Sequence, residues 1–184
     1  MKGIDVERIR FEFGDSWTIV EKWDDADVFR NGIQRLSGSK AVDLVGAREG
    51  CLYLMEVKDS HLEPIQNKER QINGDLAQEI GQKVRDTVAG LVGAHRLGRA
   101  EWVSSCAKIL LASSLTQPRV RVVAWIEDGG LRHAESHSKR GARHTTLYAQ
   151  LQQSLVWLTR HVSMESPLRV TGIGDAHATR LGKP

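Results

Sequence analysis

The chain is poor in cysteine, proline and aromatic residues, and each scarcity removes a class of protein. Its 184 residues include 2 cysteines, Cys51 and Cys106. Both sit inside apolar segments without metal-ligand spacing, which excludes a disulfide framework and a cysteine-built zinc site and points to a reducing compartment. With only 4 prolines, and no low-complexity tract or internal repeat, nothing reads as a linker. A single domain over residues 1–184 is therefore expected. Aromatic residues make up 5%, and the 5 tryptophans stand singly in apolar segments, so they read as core rather than as a base-stacking platform. No apolar run approaches the roughly 20 residues of a membrane span. The start "MKGIDVERIRFEF" has no apolar stretch like a secretory signal, and a cytoplasmic, non-membrane protein is the expectation.

What remains is an ordinary globular composition, 40% hydrophobic and 27% charged, in a chain long enough to bury about two-thirds of its unfolded surface. The net charge of +3 is unevenly spread. Residues 1–64 carry 9 Lys+Arg against 13 Asp+Glu, and residues 65–184 carry 17 against 10. That asymmetry suggests an acidic site early in the chain and an anion-binding surface later, although solvated faces produce such imbalances too.

Hydrophobic periodicity gives a mixed α/β order. "RIRFEF" and "WTIVEKW" alternate around "GDS" as a hairpin, and Phe29, Ile33 and Leu36 have the spacing of a helix face. A competing reading makes "WTIVEKWDDADVF" the helix and "GIQRL" a strand. "AVDLVGA" and "CLYLMEVKD" read as strands joined through "REG". Helices follow from Leu76, Ile80, Val84, Val88 and Leu91, from Trp102, Cys106, Ile109 and Leu110, and from Leu147, Leu151, Leu155 and Leu158. "RVRVVAWIE" and "LRVTGI" are further strands.

Three charges interrupt the central hairpin: Asp43, Glu56 and Lys58. Burying any of them alone costs several kcal/mol, so each needs a partner, a metal or a cleft. A two-residue turn at Glu49 and Gly50 sets Asp43 opposite Glu56, with Cβ atoms about 5 Å apart. Period-two alternation adds Lys58 to that face. Two carboxylates so close repel, and a divalent cation relieves the repulsion. Mg²⁺ suits one or two carboxylates with water and substrate phosphate completing its shell, and Mn²⁺ is the alternative. Lys58 can then hold or help deprotonate an attacking water, which amounts to metal-assisted phosphodiester hydrolysis. The bland counterpart is an Asp-Glu-Lys salt-bridge cluster on an exposed strand.

Asp43, twelve residues, then Glu56-Val57-Lys58 resembles the PD-(D/E)xK nuclease superfamily, and Glu56 to Lys58 is the chain's one Glu-x-Lys triplet. The preceding "SGSKAVDLV", with Ser39 and Lys40, looks like the entry to the catalytic strand of archaeal Holliday-junction resolvases. The resemblance covers roughly residues 20–95, with Val42 where the family usually carries Pro. It implies a restriction-endonuclease-like central mixed β-sheet flanked by helices, Asp43 and Glu56 as metal ligands with the Val57 carbonyl, and Lys58 orienting the water. It also implies a further carboxylate from the preceding segment, where Glu21, Asp24 and Asp25 are available and Glu21 joins the ligand set. The plain alternative for Asp24 and Asp25 is helix N-terminal capping and dipole compensation. The next helix often adds a polar group, and of the stripe Gln78, Gln82 and Arg85, Gln82 is assigned to the site and Arg85 to phosphate contact, with a solvated helix face as the alternative.

"GGLRHAESHSKRGARH" lacks a hydrophobic period and reads as a basic loop, with Arg132, Lys139, Arg140 and Arg143 suited to phosphate contacts. A solvated loop is its rival. Zinc on His133, His137 and His144 is a weaker alternative, because "HAESH" is not the helical His-Glu-x-x-His pattern. "GIGDA" has too little chain after it for a dinucleotide-binding unit. The sequence thus leads to a Mg²⁺- or Mn²⁺-dependent nuclease acting on DNA, borrowing specificity from a homodimer or a partner protein. The alternative is an inactive nuclease-fold protein that binds nucleic acid or another protein.

Overall fold

The computed structural model describes residues 1–59, 64–112, 119–127, 137–166 and 172–181, with the side chains of 64–68 and 137–140 outside the description. The expected "LRVTGI" strand falls mostly outside these residues.

A five-stranded mixed sheet forms the centre, in the order β3 (Trp17–Lys22), β4 (Leu44–Arg48), β5 (Cys51–Asp59), β6 (Val120–Glu127) and β7 (Val162–Glu165). β3, β4 and β5 are successively antiparallel, whereas β5, β6 and β7 run parallel. β5 is buried along its first seven residues, which explains its near-continuous apolar run. Alternate residues serve two cores. Leu52 and Leu54 meet Ile80, Val84 and Leu91 of α3 (Asp75–Arg96), Cys106 of α4 (Glu101–Leu111) and Leu147, Leu151 and Leu155 of α5 (His137–Leu155). Cys51, Tyr53, Met55 and Val57 face Phe11, Phe13 and Trp17 instead.

This second core is closed by a small sheet of β1 (Lys2–Val6), β2 (Ile9–Phe13) and β8 (Ala176–Arg180), in the order β1-β2-β8. A mixed sheet flanked by helices is therefore present, and its other face carries strands. The hairpin expected around "GDS" does not form, because β2 pairs with β1 and β8 while β3 pairs with β4. Phe13 and Trp17 instead stack edge to face, with centroids 5.1 Å apart, as the chain crosses between sheets. Both segments alternate because both line one core, and alternation cannot tell pairing from stacking.

Between β3 and β4 the expected helix is one turn, α1 (Asp27–Arg30), followed by a 3₁₀ turn at Ile33–Arg35. Phe29 is buried and Ile33 packs on the core, but Leu36 is exposed. Gly90 of α3 makes this packing feasible, since a Cβ there would lie 2.9 Å from Trp23 and 3.1 Å from Ile33. α2 (Pro64–Asn73) was not anticipated by periodicity. Three tryptophans, Trp17, Trp23 and Trp125, are buried as expected, while Trp157 is 53% exposed. Both cysteines are buried and free. No helix among the described residues is long and apolar enough to cross a membrane.

Candidate functional site

The β4–β5 turn fixes the site. Glu49 and Gly50 both take positive φ, 50° and 70°, the requirement of a two-residue turn that matches strand twist. The pairing runs from Arg48↔Cys51 to Leu44↔Met55, the register read from the sequence. Asp43 immediately precedes β4, and the same register sets it across from Glu56. Its backbone carbonyl accepts the Trp23 N–H at 2.9 Å and its Oδ2 accepts the Val57 N–H at 2.7 Å, so the residue ties the ends of β3, β4 and β5 together.

Glu56 is fully buried. Its Oε1 receives the Lys58 ammonium at 2.9 Å and the Lys83 ammonium at 2.6 Å. Its Oε2 is buried with no hydrogen-bond partner among the described residues. Burial, reinforced by the Asp43 charge, pushes the Glu56 carboxyl up to about 7 against the pull of the two lysines. Burial works against the Lys58 charge, yet the Glu56 and Glu79 carboxylates outweigh it and raise the Lys58 ammonium.

α3 supplies the opposing wall. Glu79 Oε1 accepts Lys58 at 3.1 Å while its Oε2 takes Arg70 of α2. Asp86 accepts the Lys40 N–H at 2.9 Å and Thr87 the Val42 N–H at 3.1 Å, which docks the strand entry on the helix. An open cleft of about 530 Å³ results, lined by Asp24, Arg30, Ser39, Lys40, Asp43, Glu79 and Lys83 among others.

Two more carboxylates adjoin Asp43. Asp24 is held above the usual range by burial and then by Asp43, and its Oδ1 is buried without a hydrogen-bond partner among the described residues. Glu7, at φ 52° in the β1–β2 turn, accepts the Asp59 N–H at 2.9 Å, and burial and Asp43 raise its carboxyl. No group of three or more His, Cys, Asp and Glu able to hold an ion occurs among the described residues. Asp43 and Glu56 as a pair, with the unpartnered Oε2, still match the hard oxygen set and low protein-ligand count of Mg²⁺, which keeps several waters.

No protein-family model matches this chain, and no solved structure does. Cysteine--tRNA ligase of Neisseria meningitidis (serogroup A / serotype 4A) is 35% identical to it over 89 residues. That stretch is 45% of this chain and 13% of the other protein, so the likeness is to a small part of that ligase.

The residues proposed from sequence divide clearly. Asp43, Glu56, Val57 and Lys58 come together, and Ser39 and Lys40 line the cleft that Asp43 also lines. Glu21 stands apart: it pairs with Val45 in the neighbouring row, binds Lys2 at 2.7 Å, and together with burial raises the Cys106 thiol. Lys83 rather than Gln82 meets Glu56. At 100° per residue, Gln82 lies about 160° round the helix from Ile80 and Val84, whereas Glu79 and Lys83 border the apolar stripe. That angle was the signal available for Glu79 and Lys83. Arg85 is 63% exposed and bonds Asp86 at 2.8 Å.

The basic loop is also revised. Residues 137–144 are the first turns of α5, and Arg143 is buried. Its side chain is therefore not offered to an open phosphate surface. Arg132 and His133 lie outside the described residues, as do the side chains of His137, Lys139 and Arg140. Glu7 had no local signal, because its hairpin reaches the site only through stacking of the two sheets.

Proposed function

We propose that the chain is a Mg²⁺- or Mn²⁺-dependent nuclease of the PD-(D/E)xK type that hydrolyses phosphodiester bonds in DNA. One observation carries the reading: a fully buried glutamate whose Oε1 faces two lysines and whose Oε2 has no hydrogen-bond partner among the described residues, with Asp43 across the hairpin. Asp43 and Glu56 would hold the cation, and the Val57 carbonyl would add a third oxygen. Bound there, such an ion would polarise a phosphoryl oxygen and lower the pKa of a bound water. Lys58, charged at neutral pH, donates to the attacking water and offsets charge growing on the phosphate. The Val57 N–H fixes the Asp43 carboxylate, so the pair is oriented before substrate arrives. Arg30, Ser39 and Lys40 on the cleft wall suit the DNA backbone.

The reading includes a cytoplasmic setting, in keeping with two unpaired thiols, and specificity supplied by a second copy or a partner protein. A rival has its own support: the two lysines already balance much of the Glu56 charge, as in an inactive nuclease-fold scaffold that binds nucleic acid or protein. Incubation with supercoiled, linear, branched and single-stranded DNA under Mg²⁺ and Mn²⁺ decides between them. The nuclease cuts at least one, and Asp43→Asn and Glu56→Gln abolish cutting. Cleavage of none by the wild type leaves the scaffold.

A further inference from the structure

Lys58 spans two carboxylates of different character. On one side, 2.9 Å away, lies Glu56, with none of its side chain exposed; on the other, at 3.1 Å, lies Glu79, with 18% exposed. Glu79 divides its oxygens, giving Oε1 to Lys58 and Oε2 to Arg70, so α2 clamps the acceptor that α3 presents to the site. The arrangement bears on any divalent cation taken by Asp43 and Glu56. Such an ion repels both ammoniums resting on Glu56 Oε1, those of Lys58 and Lys83, and Lys58 already has a second carboxylate, Glu79, within 3.1 Å to shift to.

Resting on the metal reading above, we propose that Glu79 is a positioning residue: fixed by Arg70, it takes over the Lys58 ammonium when a divalent cation engages Glu56. Arg70, Glu79 and Lys58 form a relay from α2 to the buried carboxylate. The relay keeps Lys58 near the reacting phosphate without leaving it in competition with the ion. Nothing in the Glu-x-Lys spacing contains this role, since Glu79 and Arg70 belong to other elements.

The test is Mn²⁺ titration by calorimetry on four full-length proteins: wild type, Glu79→Gln, Lys58→Met and the double variant. If Glu79 acts through Lys58, Glu79→Gln weakens Mn²⁺ binding about tenfold by returning the whole ammonium to Glu56, and changes nothing in the Lys58→Met background. Glu79→Asp, which keeps the charge, recovers much of the loss. An equal loss in both backgrounds overturns the relay, because Glu79 would then act by its own field or as a ligand. No loss in the wild-type background overturns it as well, with the metal reading intact. Absence of Mn²⁺ binding by both wild type and Lys58→Met removes the metal reading and the relay together. Thermal melting without metal checks folding of each variant, and Glu79→Met replaces Glu79→Gln in the cycle if the latter does not melt cooperatively.

Discussion

The Lys83 ammonium on α3 lies 2.6 Å from Glu56 Oε1 on β5, joining helix layer and sheet at a fully buried carboxylate. Removing one partner of a buried pair leaves charge without compensation, which costs about 3–5 kcal/mol when no other cation is near. Lys58 remains on the same oxygen, so Lys83→Met should cost less, about 1–3 kcal/mol at pH 8. Urea unfolding at pH 8 and at pH 4 measures it. The loss should nearly vanish at pH 4, where Glu56 is protonated in both proteins, and an equal loss at the two pH values would assign Lys83 a packing role.

Glu56 itself gives a pH signature of unusual sign. Its carboxyl is raised from 4.5 to about 7 on folding, by burial and then Asp43, so the native state binds the proton more tightly than the unfolded chain. The stabilising contribution is complete below pH 4.5 and is lost as pH rises through 7, an amount on the order of 3 kcal/mol. Glu56→Gln, which cannot ionise, should therefore be more stable than wild type by about 2–3 kcal/mol at pH 8.5, with the gap closing toward pH 4. Denaturant midpoints across that range decide it. A variant less stable than wild type at pH 8.5 would mean that the two lysines outweigh burial.

These effects mark how far sequence pattern reaches. The Asp43, Glu56 and Lys58 geometry was legible because a two-residue turn and period-two alternation are local rules, and both operate in the β4–β5 hairpin. The α3, α4 and α5 helices were legible because their apolar stripes persist over several turns. Failures occurred where a tertiary partner decides. β2 and β3 alternate alike whether paired in one sheet or stacked in two, and Glu7 reaches Asp59 through that stacking. A polar stripe at 78, 82 and 85 is as periodic as the one at 79, 83 and 86. Only the bearing of each stripe relative to Ile80 and Val84 separates solvent from site.

Lys58 separates enzyme from scaffold. Lys58→Ala should lower DNA cleavage about a hundredfold or more, the scale for losing an electrostatic or proton-transfer group. DNA affinity in Ca²⁺ should stay within a few-fold, since at most one phosphate contact is lost. Single-turnover rates beside equilibrium binding show the split. Affinity falling in parallel with rate would make Lys58 a binding residue.

The last expectation concerns the cleft wall. With Arg143 buried in α5 and Lys58 and Lys83 engaged on Glu56, the further cations lining the cleft among the described residues are Arg30 and Lys40, on the α1 segment and the entry to β4. Arg30 also bonds Asp25, and the Lys40 backbone N–H is anchored on Asp86, which docks the segment carrying Lys40 on α3. Each phosphate contact releases a condensed counterion, and the slope of log affinity against log salt changes by about 0.9 per contact on duplex DNA. Arg30→Gln with Lys40→Gln should therefore weaken binding to every duplex sequence alike and flatten the slope by about 2. Fluorescence anisotropy in Ca²⁺ across a salt series, with two duplexes of unrelated sequence, reads both quantities. If the slope holds while affinity falls for one duplex only, the two residues read bases and DNA does not track this wall by its backbone. If neither moves, DNA enters from another side and the Ser39–Lys40 segment serves only to dock β4 on α3.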